Sequence, residues 1–153
     1  MPRTPQELGF VYDEGGLDRW TLDRSVEIGT DCSAGLLSGC CILKSECIGV
    51  SFRNAHCRDV WFYDSHFDLC DFSDADLSGA DFRLTNFKRC RFDRAKLRNA
   101  ELRGAGFVAC DFDGADVEGA RVGCLQSLLL GWSREQRKAA ARSVLGFLMI
   151  RPP

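Results

Sequence analysis

Cys70-Asp71-Phe72-Ser73-Asp74, Ala75-Asp76-Leu77-Ser78-Gly79, Ala80-Asp81-Phe82-Arg83-Leu84 are three consecutive five-residue units, each with a small residue first, a polar residue second and a large apolar residue third. Working outward in both directions, the phase never slips. Each third position, or centre, from Cys32 to Val122 falls at a residue number ending in 2 or 7. Internal repetition of this persistence takes precedence over local propensity.

A second period of twenty residues lies on the first. Every fourth centre gives Phe52, Phe72, Phe92, Phe112 on one line and Phe67, Phe87, Phe107 on another. Two further lines run Leu37, Cys57, Leu77, Leu97, Val117 and Ile42, Phe62, Phe82, Leu102, Val122. The small sites sort likewise into Ala55, Ala75, Ala95, Ala115, then Cys70, Cys90, Cys110, then Ser45, Ser65, Thr85. Like residues stack on like, so four five-residue sides make one coil of an all-β solenoid that buries its apolar residues against the coils above and below. About five coils at ~4.8 Å each give a rod roughly 24 Å long.

The runs Ala75-Asp76-Leu77, Ala80-Asp81-Phe82, Ala95-Lys96-Leu97 and Ala100-Glu101-Leu102 resemble those of the pentapeptide-repeat proteins. The resemblance implies a right-handed quadrilateral β-helix over 30–124. Residues 1–29 are then an irregular N-terminal lead with an imperfect first coil, and 125–153 a C-terminal helical cap. The resemblance also brings two functional expectations: DNA mimics that bind DNA gyrase and protect it from quinolones or toxins, and C-terminal elements used to form a homodimer. Fold-level analogy carries less weight for function than for fold.

Composition fits one small domain: 153 residues, 45% hydrophobic, 27% charged, formal net charge −2. No apolar run reaches the eighteen or more residues of a membrane span, and Met1-Pro2-Arg3-Thr4-Pro5 opens no signal segment. The expectation is a cytoplasmic protein. Nine cysteines call for a choice between disulfides, metal and packing. Cys40, Cys70, Cys90 and Cys110 occupy small sites and Cys32, Cys47 and Cys57 centres, all inward, where cysteine acts as a small hydrophobe. An odd total without a secretion signal argues against a disulfide framework. The phase sends Cys41 and His56 outward, away from Cys40, Cys47 and Cys57, so no zinc site forms; Cys41 is the thiol expected to be exposed and reactive.

At the N-terminal end, Leu17-Asp18-Arg19 and Leu22-Asp23-Arg24 already keep the phase. The next centre would be Glu27. A lone carboxylate inside an apolar stack costs several kcal/mol, so Ser25 to Gly29 is expected to bulge or loop out. The lead, with Phe10-Val11-Tyr12, is expected to cover the first coil. At the other end Ser133 and Gln136 form a capping-box pattern, opening an amphipathic helix from Ser133 to Ile150. Ala140, Val144, Phe147 and Leu148 share one face of it, and Trp132 precedes it. An open solenoid end needs a cover, so Trp132, Val144, Phe147 and Leu148 are expected to make cap contacts. Dimer contacts or a basic amphipathic membrane surface are the alternatives.

No catalytic constellation appears. His56 and His66 point outward without a positioned nucleophile, and there is no Gly-rich phosphate loop. The chain therefore reads as a non-enzyme without metal or cofactor. Trp61 and Tyr63 flank the inward Phe62 and so face out, and exposed aromatics ringed by charge are typical interface anchors. Trp61, Tyr63, Asp64, Asp81, Arg83, Leu84 and Leu43 are the candidate partner-binding residues. Charge is banded: an acidic belt (Asp59, Asp64, Asp68, Asp71, Asp74, Asp76, Asp81) precedes a basic one from Arg83 to Arg103, and the two can pair across coils. Over 30–124 there are 15 acidic and 12 basic residues, net −3. DNA mimicry needs nearly continuous negative charge, about one per ~1.7 Å, which the basic belt interrupts. The reading preferred is a bacterial protein-binding inhibitor of the immunity or antitoxin kind, neutralising a toxin such as a nuclease, with no direct nucleic-acid contact. Gyrase binding is the alternative, and a structural or membrane-associated spacer the third class.

Overall fold

The computed structural model describes residues 3–14, 19–123 and 133–136. Within them the twenty-residue period becomes four ladders running along a rod. One carries the strands β2 (Arg19–Asp23), β4 (Cys41–Leu43) and β6 (Trp61–Tyr63), paired in parallel, and continues through the bridges Trp61–Asp81, Asp81–Glu101 and Glu101–Arg121. The second stacks β3 (Val26–Ile28), β5 (Glu46–Ile48), β7 (His66–Asp68), β8 (Asn86–Lys88) and β9 (Gly106–Val108), also parallel. The other two are ladders of single bridges, Asp31–Ser51–Asp71–Arg91–Asp111 and Leu36–His56–Asp76–Lys96–Asp116. The architecture is the expected β-solenoid.

Inside, the phenylalanine lines form columns. Phe52, Phe72, Phe92 and Phe112 stack at 4.7, 5.0 and 4.9 Å between centroids, with planes within 5° of parallel. Phe67, Phe87 and Phe107 stack at 4.9 and 5.1 Å. Neighbouring columns meet edge to face, as Phe62 and Phe67 do at 5.3 Å. The coil rise sets the stacking distance, and the ring quadrupoles favour the edge contacts between columns.

The corners are of two kinds, and the small sites follow them. At a tight turn the centre's carbonyl accepts the N–H of the next small residue, as Phe72 O does from Ala75 N (3.1 Å) and Leu97 O from Ala100 N (3.1 Å). The polar residue before the centre supports such a turn: Asp71 Oδ1 accepts Ser73 N at 2.9 Å and Asp81 Oδ1 accepts Arg83 N at 3.0 Å, the local bond that makes Asp a turn residue. At corners that remain strand-like, side chains of the small sites make the bonds. Ser45 N donates to Ser65 Oγ (3.1 Å) and Ser25 N to Ser45 Oγ (3.2 Å). Ser65 Oγ donates to Ile42 O (3.2 Å), and the thiols of Cys70 and Cys90 to Cys47 O and Phe67 O (3.3 and 3.4 Å). Serine and cysteine thus gather at the strand-like corners, at positions 25, 45, 65, 70, 90 and 110, and alanine at most of the tight ones; Thr30 and Val50 at strand-like corners and Gly35, Cys40, Val60 and Thr85 at tight ones are exceptions.

Two expectations about the N-terminal end are corrected. Ser25 to Gly29 does not loop out: Val26–Ile28 is a regular strand with Glu27 opposite Cys47. Glu27 stays in register because it lies in the end coil, where it is only half-buried and accepts a hydrogen bond from Thr30 Oγ1 at 2.8 Å. Cys41 is not exposed; it is fully buried. It does take an outward position, between Thr21 and Trp61 on its ladder. The Arg19 side chain, however, reaches from β2 to place its Cζ 4.3 Å over the Trp61 ring, and so crosses the strand that carries Cys41. Burial pushes the inward thiols up, Cys32 to about 11 and Cys40 and Cys47 to about 12.

The lead contributes a 3-10 turn (Gln6–Leu8) and β1 (Val11–Asp13), antiparallel to β2, and places Leu8 and Phe10 in the core. At the other end a helical turn occupies 134–136. Its capping box is complete: Gln136 N donates to Ser133 Oγ (3.2 Å) and Ser133 N to Gln136 Oε1 (2.8 Å). The same Gln136 side chain donates from Nε2 to Phe112 O (2.8 Å) and Ala115 O (3.1 Å), so the turn is fastened to the last coil. The rest of the expected helix, with Trp132, Val144, Phe147 and Leu148, lies outside the described residues.

Candidate groove around Trp61

Strand alternation sends Phe62 inward and its neighbours out, leaving Trp61 42% and Tyr63 48% exposed. One coil further along the rod Asp81, Arg83 and Leu84 take the corresponding places, and one coil beyond that Glu101, Arg103 and Gly104. Together Trp61, Phe62, Tyr63, Asp81, Arg83, Leu84, Arg103 and Gly104 line a groove of about 510 Å³. Gly104 makes the room: it sits in the left-handed region (φ +76°), and a side chain there would enter open space. Leu84 also has positive φ (60°), and is 57% exposed beside that space.

The charged walls are held in place. Arg83 forks onto Asp81, Nε to Oδ1 at 3.0 Å and Nη2 to Oδ2 at 2.6 Å. Arg103 does the same to Glu101, at 2.8 and 2.7 Å, and Arg121 approaches Glu101 at 3.8 Å. Burial works to raise the Asp81 carboxyl, but the Arg83 side chain and N–H outweigh it and hold the group below the usual carboxylate range. The Arg103 fork holds Glu101 low in the same way.

Of the residues singled out from the sequence, Trp61, Tyr63, Asp81, Arg83 and Leu84 come together here. Asp64 is exposed on an adjoining left-handed corner (φ 50°), and Leu43 is half-buried one coil before Tyr63; neither lines the groove. Sequence reasoning missed Arg103 and Gly104, although the twenty-residue step from Arg83 and Leu84 leads to them. Arg19 was missed as well, and no periodic signal points to it.

The acidic belt is largely neutralised. Arg58 pairs with Asp76 and Arg94 with Asp74, each at 2.7 Å; Arg89 Nε binds Asp68 at 3.0 Å and Arg53 reaches Asp71 at 3.7 Å. The basic side chains lie about one coil from their partners, so the bands cancel across the coil spacing. Among the described residues no three His, Cys, Asp or Glu side chains converge to hold a metal ion, and no helix is long and apolar enough to cross a membrane.

Four parallel ladders around stacked phenylalanines, with a bond-making small residue at each corner, define a solenoid of five-residue sides. The family model for pentapeptide repeats matches residues 51–89 and 90–122 in 8 copies, and the chain belongs to the pentapeptide-repeat proteins. Its fold is similar to that of a pentapeptide repeat protein from the thylakoid lumen of Arabidopsis thaliana, at 26% identity over 80% of this chain and 88% of that one, with a TM-score of 0.50. Weaker likenesses are to QnrB1, a plasmid-mediated fluoroquinolone resistance protein (24% identity, 65% of this chain and 49% of that one, TM-score 0.36), and to Rfr23 of the cyanobacterium Cyanothece 51142 (12%, 68% and 84%, TM-score 0.39). A search of curated proteins by sequence finds no match.

Proposed function

We propose that the chain is a non-enzymatic protein-binding inhibitor, of the immunity kind, that holds a partner protein against the Trp61 groove. The observation that carries this reading is the exposed cluster of Trp61, Tyr63 and Leu84 on a scaffold whose every coil is bonded to the next. Such a surface is formed before binding, so little conformational entropy is lost on docking, and large aromatics supply the contact energy. A rigid rod acts on an enzyme by occupying its surface, which is inhibition without chemistry. The paired charges favour this reading over DNA mimicry, because a duplex surrogate needs carboxylates free to stand in for phosphates.

The test is capture from a lysate of the source organism on the immobilised chain, wild type beside a Trp61→Ala, Tyr63→Ala double variant, followed by assay of whatever enzyme is retained. Retention of a toxin-like enzyme by wild type alone, with loss of its activity in the complex, supports the proposal. Equal retention by the double variant refutes the groove as the site. Trp61-dependent retention of gyrase subunits replaces the immunity reading with the gyrase one.

A further inference from the structure

The groove presents unused positive charge beside an apolar floor. Arg83 and Arg103 each engage their own-side carboxylate through Nε and Nη2, and among the described residues no acceptor meets Nη1 of either. The two guanidiniums belong to positions twenty residues apart, which sets their backbones one coil, about 4.8 Å, apart. Both are more than half exposed. Around the same wall Arg19, over Trp61, and Arg121 add two more cations, while the carboxylates are Asp81 and Glu101; Asp64 and Lys44 lie on the flanking left-handed corner, one of each sign. Next to the arginine pair Leu84 and Tyr63 are exposed, and Gly104 adds no side chain to the groove they line.

We infer that the groove recognises an acidic side chain adjoining a large apolar one on the partner protein, the carboxylate bridging Arg83 and Arg103 and the apolar group seated on Tyr63 and Leu84. This rests on the docking role proposed above and gives its chemistry. The forks matter because a guanidinium already fixed by one carboxylate has little rotamer freedom left to lose when its remaining N–H groups take a second, and charge-assisted bonds to a carboxylate are the strong ones. The apolar neighbour excludes water from the bond and so weakens its screening.

The experiment is fluorescence anisotropy with three dye-labelled hexapeptides that share a Leu-Phe centre and carry paired Glu, Gln or Lys on both sides, titrated with the full chain. The expected result is that the Glu probe binds on the order of tenfold more tightly than the Gln probe and the Lys probe binds weakest. An Arg83→Gln, Arg103→Gln double variant should lose the Glu preference while keeping the circular-dichroism spectrum of the folded chain. Arg83→Lys should retain part of the preference, since charge survives without the fork. A Lys probe that binds as well as the Glu probe overturns the inference, as does a Glu preference that survives the double Gln variant or a Glu probe that does not bind. If the probes fail while a captured partner still requires Trp61, the docking role stands and only this chemistry falls. If capture is also indifferent to Trp61, both fall.

Discussion

Removing one hydroxyl from the interior tests the account of the corners. Ser65 is fully buried. Its Oγ is the acceptor for Ser45 N at 3.1 Å and donates to Ile42 O or Tyr63 O, at 3.2 and 3.0 Å. Tyr63 O already accepts Lys44 N, so that carbonyl keeps a partner when the hydroxyl goes. The buried N–H of Ser45 does not, because its corner makes no tight turn. Ser65→Ala should therefore cost the desolvation of one unsatisfied buried donor, about 1–3 kcal/mol, with no cavity larger than an oxygen to add to it. Ala75 stands at a tight corner, where its N–H is already bonded to Phe72 O, so alanine there leaves no such donor. Ser65→Thr, which keeps the acceptor and copies Thr85 in the same column, should be milder than Ser65→Ala. Urea denaturation followed by circular dichroism measures all three proteins with one slope if unfolding is two-state. A Ser65→Ala protein within about 0.5 kcal/mol of wild type, inside the ordinary range for innocuous substitutions, would refute the claim that serine at this corner replaces a turn.

Phe72→Ala removes the ring that stacks on both Phe52 and Phe92 and should destabilise by about 3–5 kcal/mol in the same denaturation; a loss under 1 kcal/mol would mean that the columns do not carry the core. The described cysteines other than half-exposed Cys110 are buried, and several are pushed well above the ordinary 9.0, so a thiol reagent at pH 8 should label Cys40, Cys41 and Cys47 only after denaturant is added; rapid native labelling of Cys41 would contradict its burial under Arg19. Raised thiols hold their full contribution below about pH 9 and lose it as pH rises toward 11–12. For Asp81 and Glu101 the folded values are lowered, so their contribution is present above the unfolded carboxylate range near pH 4 and lost as pH falls through the folded values. The melting temperature should be level from pH 7 to about 5 and drop below about 4, and the Glu101→Gln protein should show a shallower drop.

The core was legible because its signal is redundant. A centre such as Phe72 is named by the five-residue phase, by its column and by the alanine three residues later, and the structure buries it as all three require. What escaped the sequence falls where that redundancy ends. Glu27 breaks the apolar rule, but in the end coil one side of the residue has no further coil, so burial is partial and a single hydroxyl satisfies it. Cys41 obeys the outward rule and is still buried, because Arg19 crosses from the coil before it to Trp61 on the coil after it. That contact depends on a long flexible side chain rather than on register. The hydrogen-bonding role of Cys70 and Cys90 was hidden for another reason: small size alone explains their place, so nothing in the pattern demanded the thiol. At the groove the aromatic anchors were visible in the local alternation. The hollow itself includes an absence, the side chain missing at Gly104; the twenty-residue step leads there from Leu84, but a search for binding side chains passes over a glycine.

Gln136 donates through Nε2 to two carbonyls of the last coil and accepts Ser133 N through Oε1, while its own backbone N–H donates to Ser133 Oγ. Each coil of the rod needs only the twenty residues before it, so a chain emerging from a ribosome can add layers one at a time, each at the same modest loop cost. Among the described residues the final layer has no successor. Phe112 O is already engaged by Ala115 N, and Gln136, made more than twenty residues later, adds a second bond there and one to Ala115 O. Synthesis of the rod therefore proceeds like winding thread on a spool, and the knot that stops it from unwinding is tied by a segment made after the last turn.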